Sequence, residues 1–174
     1  FVGASAGNRV EPNLAAAVVR VAAAAGGDAI HSTLVGLYRE APTPQLEVRY
    51  LMALLELEDI ELFEQTLELI TSEVRTQNAP YLLSAAMSHR QHGSVAWELV
   101  RNRWDDLNTK FPQNSIPRMV AGIRSLSTPR LAAEIRSFFE NHPIPQGRLT
   151  LQQHLEKLSI NVELRQREGH RLGG

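Results

Sequence analysis

The sequence contains no cysteine. That excludes disulfides, thiolate zinc sites and cysteine nucleophiles, and it leaves the redox compartment open. It also lacks net charge of either sign: 18 basic residues face 19 acidic ones, for a formal charge of −1. No bulk field therefore draws nucleic acid or anionic lipid. No apolar run approaches the roughly 20 residues that a membrane-spanning helix needs. No segment alternates apolar and polar residues as a half-buried strand does. A methionine start is missing too. The chain opens at Phe1 with a short, small-residue run through Gly7 that has neither the basic end nor the long apolar core of a signal peptide. This reads as a piece of a longer polypeptide.

What is present is helical periodicity. With 174 residues, 43% apolar and 21% charged, the composition is that of an ordered globular chain. Leu14, Val18, Val21 and Ala25 share one helical face between Pro12 and the Gly26-Gly27 stop. Ile30, Leu34 and Leu37 carry a second helix. Thr43-Pro44 caps and opens a third, with Leu51, Leu54 and Leu55 inward. Ile60, Phe63, Leu67, Ile70 and Val74 mark a fourth, and Leu83, Ala86 and Met87 a fifth that begins at Asn78-Ala-Pro80. Trp97, Val100, Trp104, Leu107 and Phe111 run along a sixth, and Ile116, Met119, Val120 and Ile123 along a seventh. Thr128-Pro129 caps an eighth that carries Leu131, Ile135, Phe138 and Phe139. A Thr150-Leu-Gln-Gln153 capping box opens a ninth with Leu151, Leu155, Leu158 and Val162. Short links make successive helices antiparallel. The expected fold is all-α: helical hairpins in an irregular superhelix of the HEAT or armadillo sort, with about nine helices. A loose segment is expected over 1–10, one helical domain over 11–168 and a frayed tail over 169–174. The sharpest punctuation is Asn141-His-Pro-Ile-Pro-Gln-Gly147, whose prolines and glycine forbid helix.

Catalytic signatures are sparse. His-Glu-x-x-His is absent, as are a phosphate-binding Gly-x-x-x-x-Gly-Lys run and a dinucleotide fingerprint. His89 and His92 are three apart, but no acidic partner is spaced to complete a metal site. They read as histidines in a last helical turn, favoured by the dipole. Ser5, in Gly3-Ala-Ser-Ala-Gly7, superficially matches a nucleophile elbow but lacks the strand that the motif requires. The acidic run Glu56, Glu58, Asp59, Glu61 and Glu64 reads as a solvated helix start. Trp97 and Trp104 read as core. The arginines are scattered rather than striped. Arg75, Arg118 and Arg124 stand out as groups able to hold a carboxylate from the wall of a groove, because guanidinium matches carboxylate in a two-pronged geometry. No residue is assigned as catalytic or as a metal ligand.

Three runs carry a resemblance: Val74-Arg-Thr-Gln-Asn-Ala-Pro80, Ala96-Trp-Glu-Leu-Val100 and Asn102-Arg-Trp104. Phe138-Phe139, Gln153, Leu155-Glu156 and Asn161 follow in order. Together they resemble the C-terminal helical domain of the aminopeptidase N family of zinc metallopeptidases, with the nearest likeness to bacterial, actinobacterial-type members. The match is clearest over residues 66–168 and looser over 11–65. Asn78 stands where the family usually has Asp, and Leu164 where many relatives have tryptophan.

The resemblance implies a parent enzyme that removes N-terminal residues from peptides with one zinc ion held in a separate catalytic domain. This chain is then a non-catalytic, HEAT-like cover that encloses the substrate chamber and controls access. Its partners are the catalytic and N-terminal domains of the same polypeptide, together with peptide substrates. Nucleic acid and membrane are not expected partners. Arg75, Gln77, Arg118 and Arg124 are the candidate chamber contacts. No cofactor is expected in this chain, and the parent is expected in the cytoplasm. The competing reading is a free-standing helical-repeat adaptor that binds a partner peptide or protein.

Overall fold

The structure, a computed structural model, describes the backbone of residues 27–172 and the side chains of residues 27–168. The expected segment 1–10, the helix over Pro12–Ala25, Ser5 and the side chain of His170 lie outside the described residues. Within them every regular element is helical, and there are nine α-helices.

The chain divides after Leu57 into two compact units. In the first, α1 (Asp28–Arg39) packs on α2 (Pro44–Leu54). Thr43 caps α2 as its sequence requires, its hydroxyl accepting from the Leu46 N–H, with Pro44 at the first helical position. Leu34, Leu51 and Leu54 are buried, whereas Leu37, expected inward, is 38% exposed.

The second unit begins with α3 (Ile60–Ser72). Asp59 caps it, one carboxylate oxygen accepting from the N–H groups of Glu61 and Leu62 at 2.9 and 3.1 Å. The acidic run is thus a cap and a solvated first turn, and Ile60 joins it in solvent rather than in the core. At the centre lies α4 (Ala79–Met87), which packs on α3, on the helices Gly93–Asn102 and Ile116–Met119, and on the 3-10 turn Val120–Ser125. Ala79, Leu82, Leu83, Ala86 and Met87 are completely buried. Asn78 precedes α4 but makes no side-chain cap bond; the Arg75 carbonyl instead accepts from Asn78 and Ala79.

The expected sixth helix is broken in two. α5 (Gly93–Asn102) ends at Arg103, and α6 (Trp104–Lys110) starts anew. Arg103 reaches back to Glu68, and Lys110 to the Thr71 carbonyl, so both cations close the C-terminal end of α3. The expected seventh helix is α7 (Ile116–Met119) continued by the tighter 3-10 turn Val120–Ser125. Its apolar residues Ile116, Met119, Val120 and Ile123 are all completely buried, so the inward face holds although the winding changes.

α8 (Pro129–Asn141) is capped by Thr128, whose hydroxyl accepts from Leu131 N–H. Trp97 and Trp104 meet it edge-on: both lie T-shaped on Phe138, at 5.3 and 5.4 Å. Glu134 accepts from Trp97 Nε1 at 3.0 Å and from Arg101 at 2.6 Å, tying α5 to α8. The final helix, α9 (Arg148–Leu172), starts two residues before the expected capping box and continues beyond residue 168. The 3-10 turn Pro145–Gly147 opens it, so the Thr150 hydroxyl is not a cap. α9 rests on the 116–125 segment through Asn161 Nδ2, which donates to the Arg124 carbonyl at 2.8 Å, and through His154 Nε2, 3.2 Å from the Pro117 carbonyl.

Candidate functional site

The histidine pair does not make a metal site. His89 and His92 lie in the link between α4 and α5, not in a last helical turn. Their rings stack in parallel, 5.0 Å apart and both against Phe63. His89 Nδ1 accepts from the His92 N–H at 3.0 Å, and His92 Nε2 pairs with the Glu58 carbonyl at 2.7 Å. Face-to-face imidazoles do not aim two lone pairs at one point. Among the described residues, no three His, Asp or Glu side chains gather as a metal site.

A cavity of about 480 Å³ opens where two turns with the same Pro-Gln start face each other. One is the 3-10 turn Gln113–Ser115 after Pro112; the other is Pro145–Gly147. Proline fixes φ and supplies no N–H, so each turn presents its glutamine at a set angle. The two glutamines lock together: Gln146 Nε2 donates to Gln113 Oε1 at 2.9 Å and to the Gln113 carbonyl at 3.1 Å. Gln113 Nε2 in turn donates to the Asn108 carbonyl at 3.0 Å. Pro117 forms one wall, pressed so closely on Gly147 that a Cβ there would strike its ring. Asn114, Arg118 and Thr150 complete the lining. Near the wall, burial holds the His154 imidazole below the ordinary histidine pKa; the Pro117 carbonyl opposes that shift and the Arg124 guanidinium reinforces it.

Of the four residues singled out from sequence, Arg118 lines this cavity. Arg75 and Gln77 are exposed in the link between α3 and α4. Arg124, on the 3-10 turn, folds its Nε back to the Ala121 carbonyl at 2.8 Å. Of the other lining groups, Gln146 reads in the sequence as part of the 141–147 turn and Thr150 as a helix cap, and nothing near Gln113 or Asn114 in the chain singles them out. Pro-Gln occurs at 44–45, 112–113 and 145–146, so the dipeptide by itself does not mark the cavity.

Residues 1–160 match the family model described as ERAP1-like C-terminal domain. The chain belongs to that family. Curated relatives agree. Aminopeptidase M1-C of Oryza sativa subsp. japonica is 30% identical over 135 residues, 76% of this chain and 15% of that protein. Aminopeptidase M1 of Arabidopsis thaliana is 29% identical over 135 residues, with the same shares. Aminopeptidase M1-A of Oryza sativa subsp. japonica is 26% identical over 137 residues. The chain thus aligns with about a seventh of the length of these relatives, each named as an aminopeptidase. The resemblance drawn from the three sequence runs is borne out at the level of the family domain. The named relatives are plant proteins, and the actinobacterial affiliation is not drawn from them.

No helix among the described residues is long and apolar enough to cross a membrane.

Proposed function

We propose that this chain is the non-catalytic C-terminal domain of a zinc aminopeptidase that removes N-terminal residues from peptides. In this reading it covers the active site, encloses the substrate chamber and limits access to short or unfolded peptides. The observation that carries the reading is the family match over residues 1–160, set beside relatives several times longer that are named as aminopeptidases. The buried hub of α4 supports it too, since a wall that excludes water from a chamber has to keep its shape. Stacked helices of the HEAT sort supply such a concave wall. The zinc belongs to the catalytic portion of the polypeptide; the described residues of this chain do not fit it and contribute no step through it. The actinobacterial affiliation and a cytoplasmic location are part of the same proposal.

Its test uses the longer polypeptide. With the domain present, short peptides are cut, and a folded protein bearing the same exposed N-terminal residues is spared. A form lacking this domain, shown to be folded by circular dichroism, is expected to cut both. Unchanged discrimination after removal would contradict the proposed control of access.

A further inference from the structure

We propose that His154 makes the seat of α9 sensitive to acid: a second proton on its imidazole favours release of the helix from the 116–125 segment. The device concerns how firmly the final helix is held, and it is independent of the covering role.

The first observation is how lightly α9 is held. It runs for 25 residues, yet of its described side chains only Leu151 and Leu158 are buried. Leu149, Ile160 and Leu164 stand in solvent. An element with so little buried apolar surface opens locally at a lower cost than a core element such as α4. Its polar ties therefore count. Two hydrogen bonds join it to the 116–125 segment, from His154 Nε2 to the Pro117 carbonyl at 3.2 Å and from Asn161 Nδ2 to the Arg124 carbonyl at 2.8 Å. His154 and Asn161 are two turns apart on one helical face. A third tie, from Arg136 to Ser159, runs to α8.

A carbonyl only accepts, so Nε2 of His154 keeps its hydrogen and the neutral ring has its lone pair on Nδ1. Acid adds the second proton there, and the new charge sits half-buried between α9 and Pro117. The elements packed on α9 are the 3-10 turn Val120–Ser125, α8 and the turn Pro145–Gly147. From the first comes Arg124, whose Nε folds back to the Ala121 carbonyl at 2.8 Å, toward the end of the segment where His154 sits. On α8, Glu134 is held by Trp97 and Arg101, Arg136 by Ser159, and His142, at its end, by the Phe138 carbonyl. Arg130 and Glu140 are exposed there. The Pro145–Gly147 turn carries no charge, and Arg118, beside Pro117, is exposed. On α9 itself, Glu156 accepts from Gln152, while Arg148 and Lys157 are exposed cations. Of these charges Arg124 is the one that acts on the ring. Burial disfavours the charged imidazole, the Pro117 carbonyl favours it and Arg124 disfavours it, which leaves a net downward shift. A released ring lies in water, with the ordinary histidine pKa of about 6.5. The open helix thus binds the proton more readily than the seated one, and opening gains as pH falls below that value.

Amide hydrogen exchange of the purified 174-residue chain tests the device. It is followed by NMR at about pH 7.5 and about pH 5, relative to the intrinsic exchange rates at each pH, with α4 as the reference for global stability. Protection of residues 154–162 is expected to fall at least about threefold more than that of α4 on acidification. His154→Gln cannot titrate in this range but keeps an N–H for the Pro117 carbonyl, and it is expected to remove that extra fall. Arg124→Gln removes the neighbouring charge and is expected to make the extra fall smaller. In the unaltered chain the His154 ring signals are expected to titrate below the ordinary histidine range, and in Arg124→Gln to move up toward it. Arg124 is exposed and His154 half-buried, so both variants are expected to fold. The titration of the unaltered chain needs no variant and decides by itself if one fails to fold. Equal changes in α9 and α4 overturn the proposal. So does a His154 that titrates at or above the ordinary value, or a His154→Gln chain that keeps the extra fall. None of these readouts involves turnover, so failure here leaves the covering role standing.

Discussion

Trp97→Ala is expected to lower the unfolding free energy by about 4 kcal/mol, in the range for removing a large aromatic from a close-packed core. Three contributions add at this position. The indole is 1% exposed, so its removal leaves a cavity between α5 and α8. Its ring meets Phe138 at 5.3 Å and Phe139 at 5.9 Å, so two favourable aromatic contacts are lost. Its Nε1 donates to Glu134 at 3.0 Å, and Arg101 holds the same carboxylate oxygen. Without the indole, that oxygen loses one of its two close donors in a half-buried place. Urea unfolding followed by far-UV circular dichroism measures the loss, because the fluorescence signal is itself altered. A loss under about 1 kcal/mol would mean that the aromatic cluster does not join α5 to α8.

Gly122→Ala is expected to cost about 3 kcal/mol, at the upper end of ordinary overpacking. The glycine is buried where the 3-10 turn Val120–Ser125 crosses α4. An added methyl would strike the Ser84 carbonyl oxygen and come within 2.8 Å of Met87 Cβ. Neither is the free end of a flexible chain. Relief therefore requires the turn to lift from α4, opening the most buried part of the unit. Gly36→Ala serves as the opposite control. Gly36 is inside α1, and a Cβ there meets nothing within 4 Å. That change is expected to stabilise by about 0.5–1 kcal/mol, from backbone entropy and helix propensity. The same chemical substitution thus carries opposite signs at the two positions. Equal melting shifts would contradict the close approach at Gly122.

Where a boundary depends on neighbouring residues, the sequence is legible. Thr43-Pro44 and Thr128-Pro129 each place a cap and a first-turn proline side by side, and both helices start there. Where a boundary depends on distant residues, it is not. Trp97, Val100, Trp104, Leu107 and Phe111 keep one periodicity through the break at Arg103, because both helices bury the same face. No glycine or proline marks that break; what accompanies it is the pairing of Arg103 with Glu68 on α3. The Thr150 box fits its motif, yet Pro145–Gly147 starts the helix earlier through its contact with Pro117. The cavity follows the same rule. Arg118 stands out as a basic side chain, but Gln113 and Gln146 are 33 residues apart and meet only in the folded chain.

The most direct test of the non-catalytic role is turnover by the purified chain itself. The assay follows release of p-nitroaniline from aminoacyl anilides, with and without added zinc, alongside a measurement of bound metal after dialysis. The expected result is no release in either condition and no zinc retained. Zinc-dependent release that tracks with retained metal would place catalysis inside these 174 residues and contradict the covering role.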